Sequence, residues 1–203
     1  MHAVIRRYKV DRANTDEIIR RAEAGFIPLI SAAPGFVSYR IAVADDGDLM
    51  TVSVFEDQAG ADESVRLAAG WVREHLAALL PHPPEVISGR VLRREVEPTR
   101  ELRHGVMRLY RGTRDTDEGL RRVRAGLEQL IRATPGFAAA MVLDAGGGTI
   151  VSLTGFGDAA AAEESHRKAS GWVQEHLADL GPNPPEVTRM EVRAGKVAQT
   201  TAA

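Results

Sequence analysis

The sequence GWVREHLA at residues 70–77 recurs as GWVQEHLA at residues 171–178. Shorter segments recur at the same distance of 101 residues: PGF at 34–36 and 135–137, and PPEV at 83–86 and 184–187. A period this long indicates a duplicated domain, because solenoid repeats are only about 20–50 residues long. The constant spacing predicts two copies that align without a gap.

We therefore predict a first domain at residues 1–97, a linker at 98–103, a second domain at 104–197 and a frayed tail at 198–203. Each copy has the size of a small independent domain, about 100 residues. Neither copy is long enough to be divided further.

The composition is that of a globular protein, with 44% hydrophobic and 27% charged residues and a formal net charge of −2. Without a long basic run, neither nucleic acid nor an anionic membrane is an expected partner. The absence of cysteine excludes disulfides and thiolate chemistry. No signal-peptide pattern is present, and no apolar stretch reaches the about 18 residues that span a bilayer, so we expect a cytoplasmic protein.

Both copies share one order of predicted elements. The first copy predicts a strand at 3–10, a helix, strands at 36–44 and 49–55, a second helix and a strand at 85–96. Asn14 with Glu17 forms a capping box for the first helix, and Asp57 is placed to cap the second. Asp115 with Glu118, and Asp158, repeat these signals in the second copy.

The order βαββαβ is that of a ferredoxin-like domain. A four-stranded sheet with both helices on one face leaves its other face bare, and an equivalent sheet can cover it. The sequence therefore predicts an α+β fold in which two ferredoxin-like repeats pack sheet to sheet. The chain would then be a self-contained pseudo-dimer.

The βαββαβ pattern, the Pro-Gly-Phe before the second strand and the acidic helix start after the third strand resemble the dimeric α/β-barrel superfamily. Within it, the chain is most similar to the antibiotic biosynthesis monooxygenase (ABM) domain, here in tandem. The resemblance implies a barrel closed inside one chain, with ligands between the sheet and the helices of a unit. It also implies oxidation of electron-rich phenols by O₂ without a cofactor, for which relatives use Asn, Trp, Tyr or Arg.

Candidate site residues lie first on the second helix of each copy. Trp71 with His75, and Trp172 with His176, are four residues apart and therefore share one helix face. They predict a ligand wall with a histidine that moves protons or binds haem, and the alternative is packing residues with a histidine on the rim. Gly70, directly before Trp71, suggests a close backbone approach or room for the indole.

The third strand of each copy carries small hydroxyl groups that can line a cavity. Its inward-facing residues are predicted to bind a ligand together with Tyr39, or else to be ordinary strand formers: Thr51, Ser53, Phe55, Ser152, Thr154 and Phe156.

Arg7 and Arg108 occupy equivalent positions in the gapless alignment and can hold a carboxylate, phenolate or enolate. The alternative is a surface ion pair with an acid such as Glu85 or Glu186. Where the copies differ, Tyr39 and Val54 become Ala140 and Gly155, which favours a roomier, more apolar pocket in the second copy.

No zinc motif, phosphate-binding loop or nucleophile elbow is present. We expect no metal and no cofactor, and a small apolar or aromatic molecule as the partner. The leading hypothesis is a cofactor-independent monooxygenase-like protein acting on an aromatic or polyketide-like compound, with Arg108, His176, Arg7 and His75 as catalytic residues. A non-catalytic ligand-binding or assembly module is the alternative, and haem binding is third.

Overall fold

The computed structural model describes residues 1–181 and 184–198. In the first repeat the strands and helices follow the predicted order, with the first helix divided by one π-helical turn at Ala22–Phe26. The elements are β1 His2–Tyr8, α1 Thr15–Arg21, α2 Ile27–Ser31, β2 Phe36–Ala44, β3 Leu49–Phe55, α3 Gln58–His75 and β4 Glu85–Val96.

The second repeat has the same order, and its first helix is also interrupted. The elements are β5 His104–Tyr110, α4 Thr116–Ala125, α5 Leu127–Arg132, β6 Phe137–Gly146, β7 Thr149–Phe156, α6 Ala159–His176 and β8 Glu186–Val197. Gly35 and Gly136 have φ of +69° and +80°, which explains why the turn before β2 and β6 keeps its glycine.

The hydrogen-bonded strand order is β1-β3-β2-β8-β5-β7-β6-β4, and it closes on itself as a barrel. The predicted fold class, α+β with two ferredoxin-like βαββαβ repeats forming a dimeric α/β barrel within one chain, is therefore confirmed. By compactness the chain divides into one unit of residues 1–90 and 191–203 and another of residues 91–190, so β4 and β8 each contribute to both.

Strand register corrects the gapless alignment. β1 pairs with β3 so that Arg6 lies opposite Thr51, and β5 pairs with β7 so that Arg108 lies opposite Ser152. Thr51 and Ser152 are 101 residues apart, but the two arginines are 102 apart. Hence Arg6, not Arg7, is the equivalent of Arg108, and the first repeat has one more residue between its first strand and first helix.

That extra residue changes how the first helix begins. In the second repeat Asp115 accepts a hydrogen bond from the Glu118 amide at 2.9 Å, as the capping box predicts. In the first repeat Asn14 makes no side-chain capping bond, and Asp11 instead caps a short 3-10 turn before the helix. Asp57 and Asp158 cap α3 and α6 as predicted.

No helix in the described ranges is long and apolar enough to cross a membrane. The described residues also contain no cluster of three or more histidine or acidic side chains suited to a metal ion. Of the predicted tail, Ala198 donates its amide hydrogen bond to Val37, and residues 199–203 lie outside the described residues.

Candidate functional site

The first repeat contains a cavity between its helices and its sheet. Its volume is about 30 Å³, and it lies among Arg6, Tyr8, Phe26, Tyr39, Thr51 and Trp71. A water molecule needs about 10–15 Å³ on this measure, so the cavity has room for about two waters. Its position is where the resemblance places ligands, but its volume is far below that of an aromatic ligand.

Arg6 is the charged group of this cavity, although its side chain is only 2% exposed. Its guanidinium donates to the hydroxyls of Ser53 at 3.1 Å and Ser64 at 2.9 Å. Burial lowers the pKa of Arg6, and burial likewise raises the pKa values of the neighbouring Tyr8 and Tyr39 hydroxyls. The result is a buried site that disfavours charge on all three groups.

The predicted site residue Arg7 lies elsewhere. Neighbouring strand residues point to opposite faces of a sheet, so Arg7 points away from the face on which Arg6 lines the cavity. It forms ion pairs with Asp46 and Asp48 of the β2–β3 hairpin, and Glu85 on the neighbouring strand adds a further electrostatic attraction. The structure does not bring Arg7 into the cavity.

Trp71 lines the cavity and is 9% exposed, but His75 does not line it. The imidazole of His75 stacks on the indole with ring centres 4.8 Å apart, and its Nδ1 lies 3.0 Å from the Trp71 carbonyl oxygen. Trp172 and His176 repeat this arrangement at 4.5 Å and 2.9 Å. Both histidines are thus bound to their own helix.

A different glycine from the predicted one accommodates each indole. A methyl group added at Gly70 or Gly171 would meet nothing within 4 Å, so the predicted close approach at Gly70 is wrong. At Gly25, in the π-helical turn, a Cβ atom would lie 3.2 Å from the Trp71 ring. At the equivalent Gly126, it would lie 2.9 Å from Trp172.

The predicted strand residues divide into two groups. Phe55 and Phe156 are fully buried and pack edge to face against Phe36 and Phe137, so they are core residues. The hydroxyl-bearing residues surround the buried arginines. Thr51 lines the cavity, Ser53 accepts a bond from Arg6, Thr154 accepts one from Arg108, and Ser152 is half-buried opposite Arg108.

Arg108 is also 2% exposed, and its hydrogen bonds differ from those of Arg6. Its Nη1 donates to Thr154 at 3.2 Å, and its Nε donates to Nδ1 of His166 at 3.2 Å. Its Nη2 is buried without a partner, as is the hydroxyl of Ser165, the equivalent of Ser64. Burial lowers the pKa of Arg108, and burial together with Arg108 lowers the pKa of His166.

Packing around this second arginine is looser. None of the residues of α4 is buried, whereas α1 buries Thr15, Ile18 and Ile19. Trp172 is half-buried, unlike Trp71. The substitution to Gly155 does not itself leave space, because Leu102 of the linker fills that position.

Sequence reasoning missed Arg6, His166, Ser165 and Tyr110, a half-buried tyrosine that lies near Arg108 and hydrogen-bonds Ser152. For the two strand residues, Arg6 and Tyr110, the signal was available. Shifting the first strand by one residue aligns HAVIRRYK at 2–9 with HGVMRLYR at 104–111, which pairs His with His, Arg with Arg and Tyr with Tyr. His166 stands opposite Val65 in the alignment, and only the three-dimensional contact with Arg108 identifies it.

Residues 1–69 match the family described as antibiotic biosynthesis monooxygenase. No protein of curated function matches the sequence significantly. Among solved structures, a protein of Fusobacterium nucleatum named "Putative monooxygenase" is similar with a TM-score of 0.74 and 7% identity, covering 97% of this chain and 94% of the other. A protein of the same name from Lactobacillus acidophilus has a TM-score of 0.72 and 14% identity, covering 97% and 95%.

An anthrone oxidase-like protein is similar over 100% of this chain and 95% of its own, with a TM-score of 0.62 and 15% identity. At these identities the structural likeness establishes the fold. Residues 1–69 thus match the antibiotic biosynthesis monooxygenase family, and the fold of both repeats agrees with the predicted resemblance to tandem domains of this type.

Proposed function

We propose that the protein is a cofactor-independent monooxygenase-like protein that acts on a small aromatic or polyketide-like compound. The supporting observation is the buried arginine of each repeat. Arg6 and Arg108 are each 2% exposed, and neither donates to a carboxylate among the described residues. Burying a cation without a counter-ion costs several kcal/mol, roughly the amount an anionic ligand can offset.

An ionised phenol or enolate is the anion that the proposed reaction requires. The substrate CH₂ group next to the activated ring loses a proton, and the resulting carbanion bonds to one atom of O₂. The peroxide oxygen then takes up a proton, and loss of water leaves a ketone. One oxygen atom enters the product and the other leaves as water, while the substrate supplies the electrons.

Arg108 acts in this reaction by stabilising the anionic oxygen in a site from which water is excluded. Trp172 provides an aromatic wall. His166 replaces the predicted His176 as the proton-transferring group, because it contacts Arg108 and burial keeps it neutral near pH 7. His176 and His75 direct Nδ1 at their own helix carbonyls.

The test is oxygen consumption with anthrone, corrected for oxidation in buffer. We expect one O₂ consumed for each anthraquinone formed, and a loss of about 10²-fold or more in kcat for the Arg6→Met, Arg108→Met double variant. A rate equal to that in buffer, or a double variant as active as the native protein, would refute the proposal. A circular dichroism spectrum like that of the native protein serves as the folding control.

Ligand binding without oxidation is the second candidate function. The orientation of His75 and His176 favours it, because neither predicted proton-transfer group has its Nδ1 free. Saturable binding of anthraquinone without oxygen uptake from anthrone would select this candidate. Haem binding stays an untested prediction, for which a Soret band that His176→Ala removes is the measurement.

A further inference from the structure

We propose that the second repeat alone is a receptor for a small aromatic carboxylate, which binds along the Nε–Nη2 edge of Arg108 where His166 now sits. The inference goes beyond the proposed function, because the group that it places on Arg108 is a carboxylate and not the phenolate or enolate of the oxidation. It also stands on binding alone, whether or not oxidation follows.

The geometry of other arginines in this chain shows what that edge is suited to bind. Arg20, Arg93, Arg121 and Arg189 each place Nε and Nη2 on the two oxygens of one carboxylate, with distances from 2.6 to 3.3 Å. Such paired bonds are stronger and more directional than single ones. Arg108 offers the same edge, but its Nε meets an imidazole and its Nη2 meets nothing.

In the first repeat, Nη2 of the equivalent arginine has a hydrogen-bond partner within the protein and needs no ligand. Nη2 of Arg6 donates to Ser64, which in turn donates to the Ala61 carbonyl. In the second repeat Ser165 occupies the position of Ser64, yet its hydroxyl and Nη2 of Arg108 are both buried and unpartnered. Leaving a buried donor unsatisfied costs about 1–3 kcal/mol, so a ligand oxygen that accepts a hydrogen bond from Nη2 would remove this unfavourable free energy.

Substitutions in the second repeat remove side-chain volume that would otherwise exclude an aromatic ring. Four bulky residues that line the cavity of the first repeat have smaller counterparts in the second: Ile18 becomes Gly119, Phe26 becomes Leu127, Tyr39 becomes Ala140 and Leu80 becomes Gly181. No residue of α4 is buried, and Leu180 alone lies within 4 Å of where a Cβ atom at Gly119 would stand. Trp172 is half-buried, so its indole can stack on a planar ligand.

The charges around Arg108 also favour an anion. Arg189 lies near it and is bound by Glu163 at 2.7 and 3.2 Å, and Glu163 also attracts Arg108, but Arg108 donates to no carboxylate in the part of the chain that the structure describes. His166 is only partly buried, so its ring can turn outward and release Nε of Arg108 to a carboxylate oxygen. In the first repeat Val65 stands at the position of His166. A valine side chain accepts no hydrogen bond, so there is no such bond for a carboxylate to take over.

The experiment uses the full chain and 4-nitrobenzoate, a planar carboxylate that quenches tryptophan fluorescence on contact. The chain has two tryptophans, one in each repeat, so the Trp71→Phe and Trp172→Phe variants each report on one repeat. Calorimetry should give one site per chain, with quenching of Trp172 and not of Trp71. The neutral 4-nitrobenzamide should bind at least about 30-fold more weakly, as expected for loss of a buried charge pair.

Three variants complete the test. Arg108→Met should weaken 4-nitrobenzoate binding by about 30-fold or more, whereas Arg20→Met, at an exposed arginine paired with Glu17, should change it by less than about twofold. Ala140→Tyr copies the first repeat and should abolish binding while Arg108 remains. If Arg108→Met fails to fold, Ala140→Tyr and the amide comparison decide the question.

Two equivalent sites, quenching of Trp71, or equal affinity for the acid and the amide would each overturn the inference. Binding that depends on Arg108 without oxygen uptake from anthrone would leave the inference standing and refute the proposed oxidation. Anthrone oxidation by a protein that does not bind 4-nitrobenzoate would do the reverse.

Discussion

In both repeats the first strand carries a buried arginine and a tyrosine, and the last helix carries a tryptophan. The repeats differ in how tightly the neighbouring side chains pack around these three residues. Around Arg6, the side chains of Phe26, Tyr39 and Trp71 pack against one another with ring centres 5.4 Å apart and leave a cavity of about 30 Å³. Around Arg108 the tyrosine of β2 is an alanine and no residue of α4 is buried. The difference teaches that, after a duplication, one copy can keep the packed core while the other is free to open.

The largest expected effect is a difference in the free energy of unfolding between alanine variants of the two tryptophans. Trp71→Ala removes a side chain that is 9% exposed and should lower the free energy of unfolding by about 3–5 kcal/mol. Trp172→Ala removes a half-buried side chain and should cost only about 1–2 kcal/mol. Urea unfolding measures both, and equal losses would contradict the asymmetry between the repeats.

A smaller effect concerns the glycines that face the indoles. Gly25→Ala places a methyl group 3.2 Å from the buried Trp71 and should destabilise by about 1–3 kcal/mol. Gly126→Ala approaches Trp172 more closely, at 2.9 Å, but should cost less because the half-buried indole can move aside. Thermal unfolding of both variants tests this, since distance alone predicts the opposite order.

Gly70 and Gly171 should respond in the other direction. An added methyl group would meet nothing within 4 Å at either position, and alanine is the better helix former by about 1 kcal/mol. Both substitutions should therefore raise the free energy of unfolding by up to about that amount. A decrease in either variant would show that the glycine makes room for something that the described contacts do not include.

The smallest expected effect is a change in pH dependence. Burial, Arg108 and Arg189 hold the pKa of His166 below its ordinary 6.5, against the opposing charge of Glu163. A base with a lowered pKa in the folded state stabilises it above the ordinary pKa, and this stability is lost as the pH falls through the folded value. His166→Val, which copies Val65, should therefore lose less stability than the native protein between pH 7.5 and 5.5. The exposed His176, changed to Val, is the matched control, and identical pH profiles for all three proteins would contradict the prediction.

Much of the fold could be predicted because strand alternation, helix caps and the repeat are local signals. Asp57, Asp158 and the two Pro-Gly-Phe turns lie where their chemistry requires. The capping box at Asn14 failed because a 3-10 turn capped by Asp11 precedes that helix. Asp11 is a turn residue in its own right, but the motif at Asn14 and Glu17 gave the stronger pattern.

The site was harder to predict because it depends on which face of a strand each residue occupies. A one-residue error moves a side chain to the other face, and this is how Arg7 was chosen in place of Arg6. Arg108 is buried opposite Ser152, and its equivalent in the first repeat is Arg6 rather than Arg7. His166 and Ser165 could not be found from sequence. The hydrogen bond that His166 accepts from Arg108 and the unpartnered hydroxyl of Ser165 leave no local pattern in the sequence of α6.

The single extra residue after β1 has a consequence for how the gene can change. An in-frame gain or loss of one codon inside a strand would exchange the two faces of that strand beyond the change and expose its apolar side chains. Between Tyr8 and Thr15 the same event was absorbed by a 3-10 turn, and the strands and helices on either side kept their partners. That segment is therefore a place where the two halves of the gene can drift in length without losing the ability to fold.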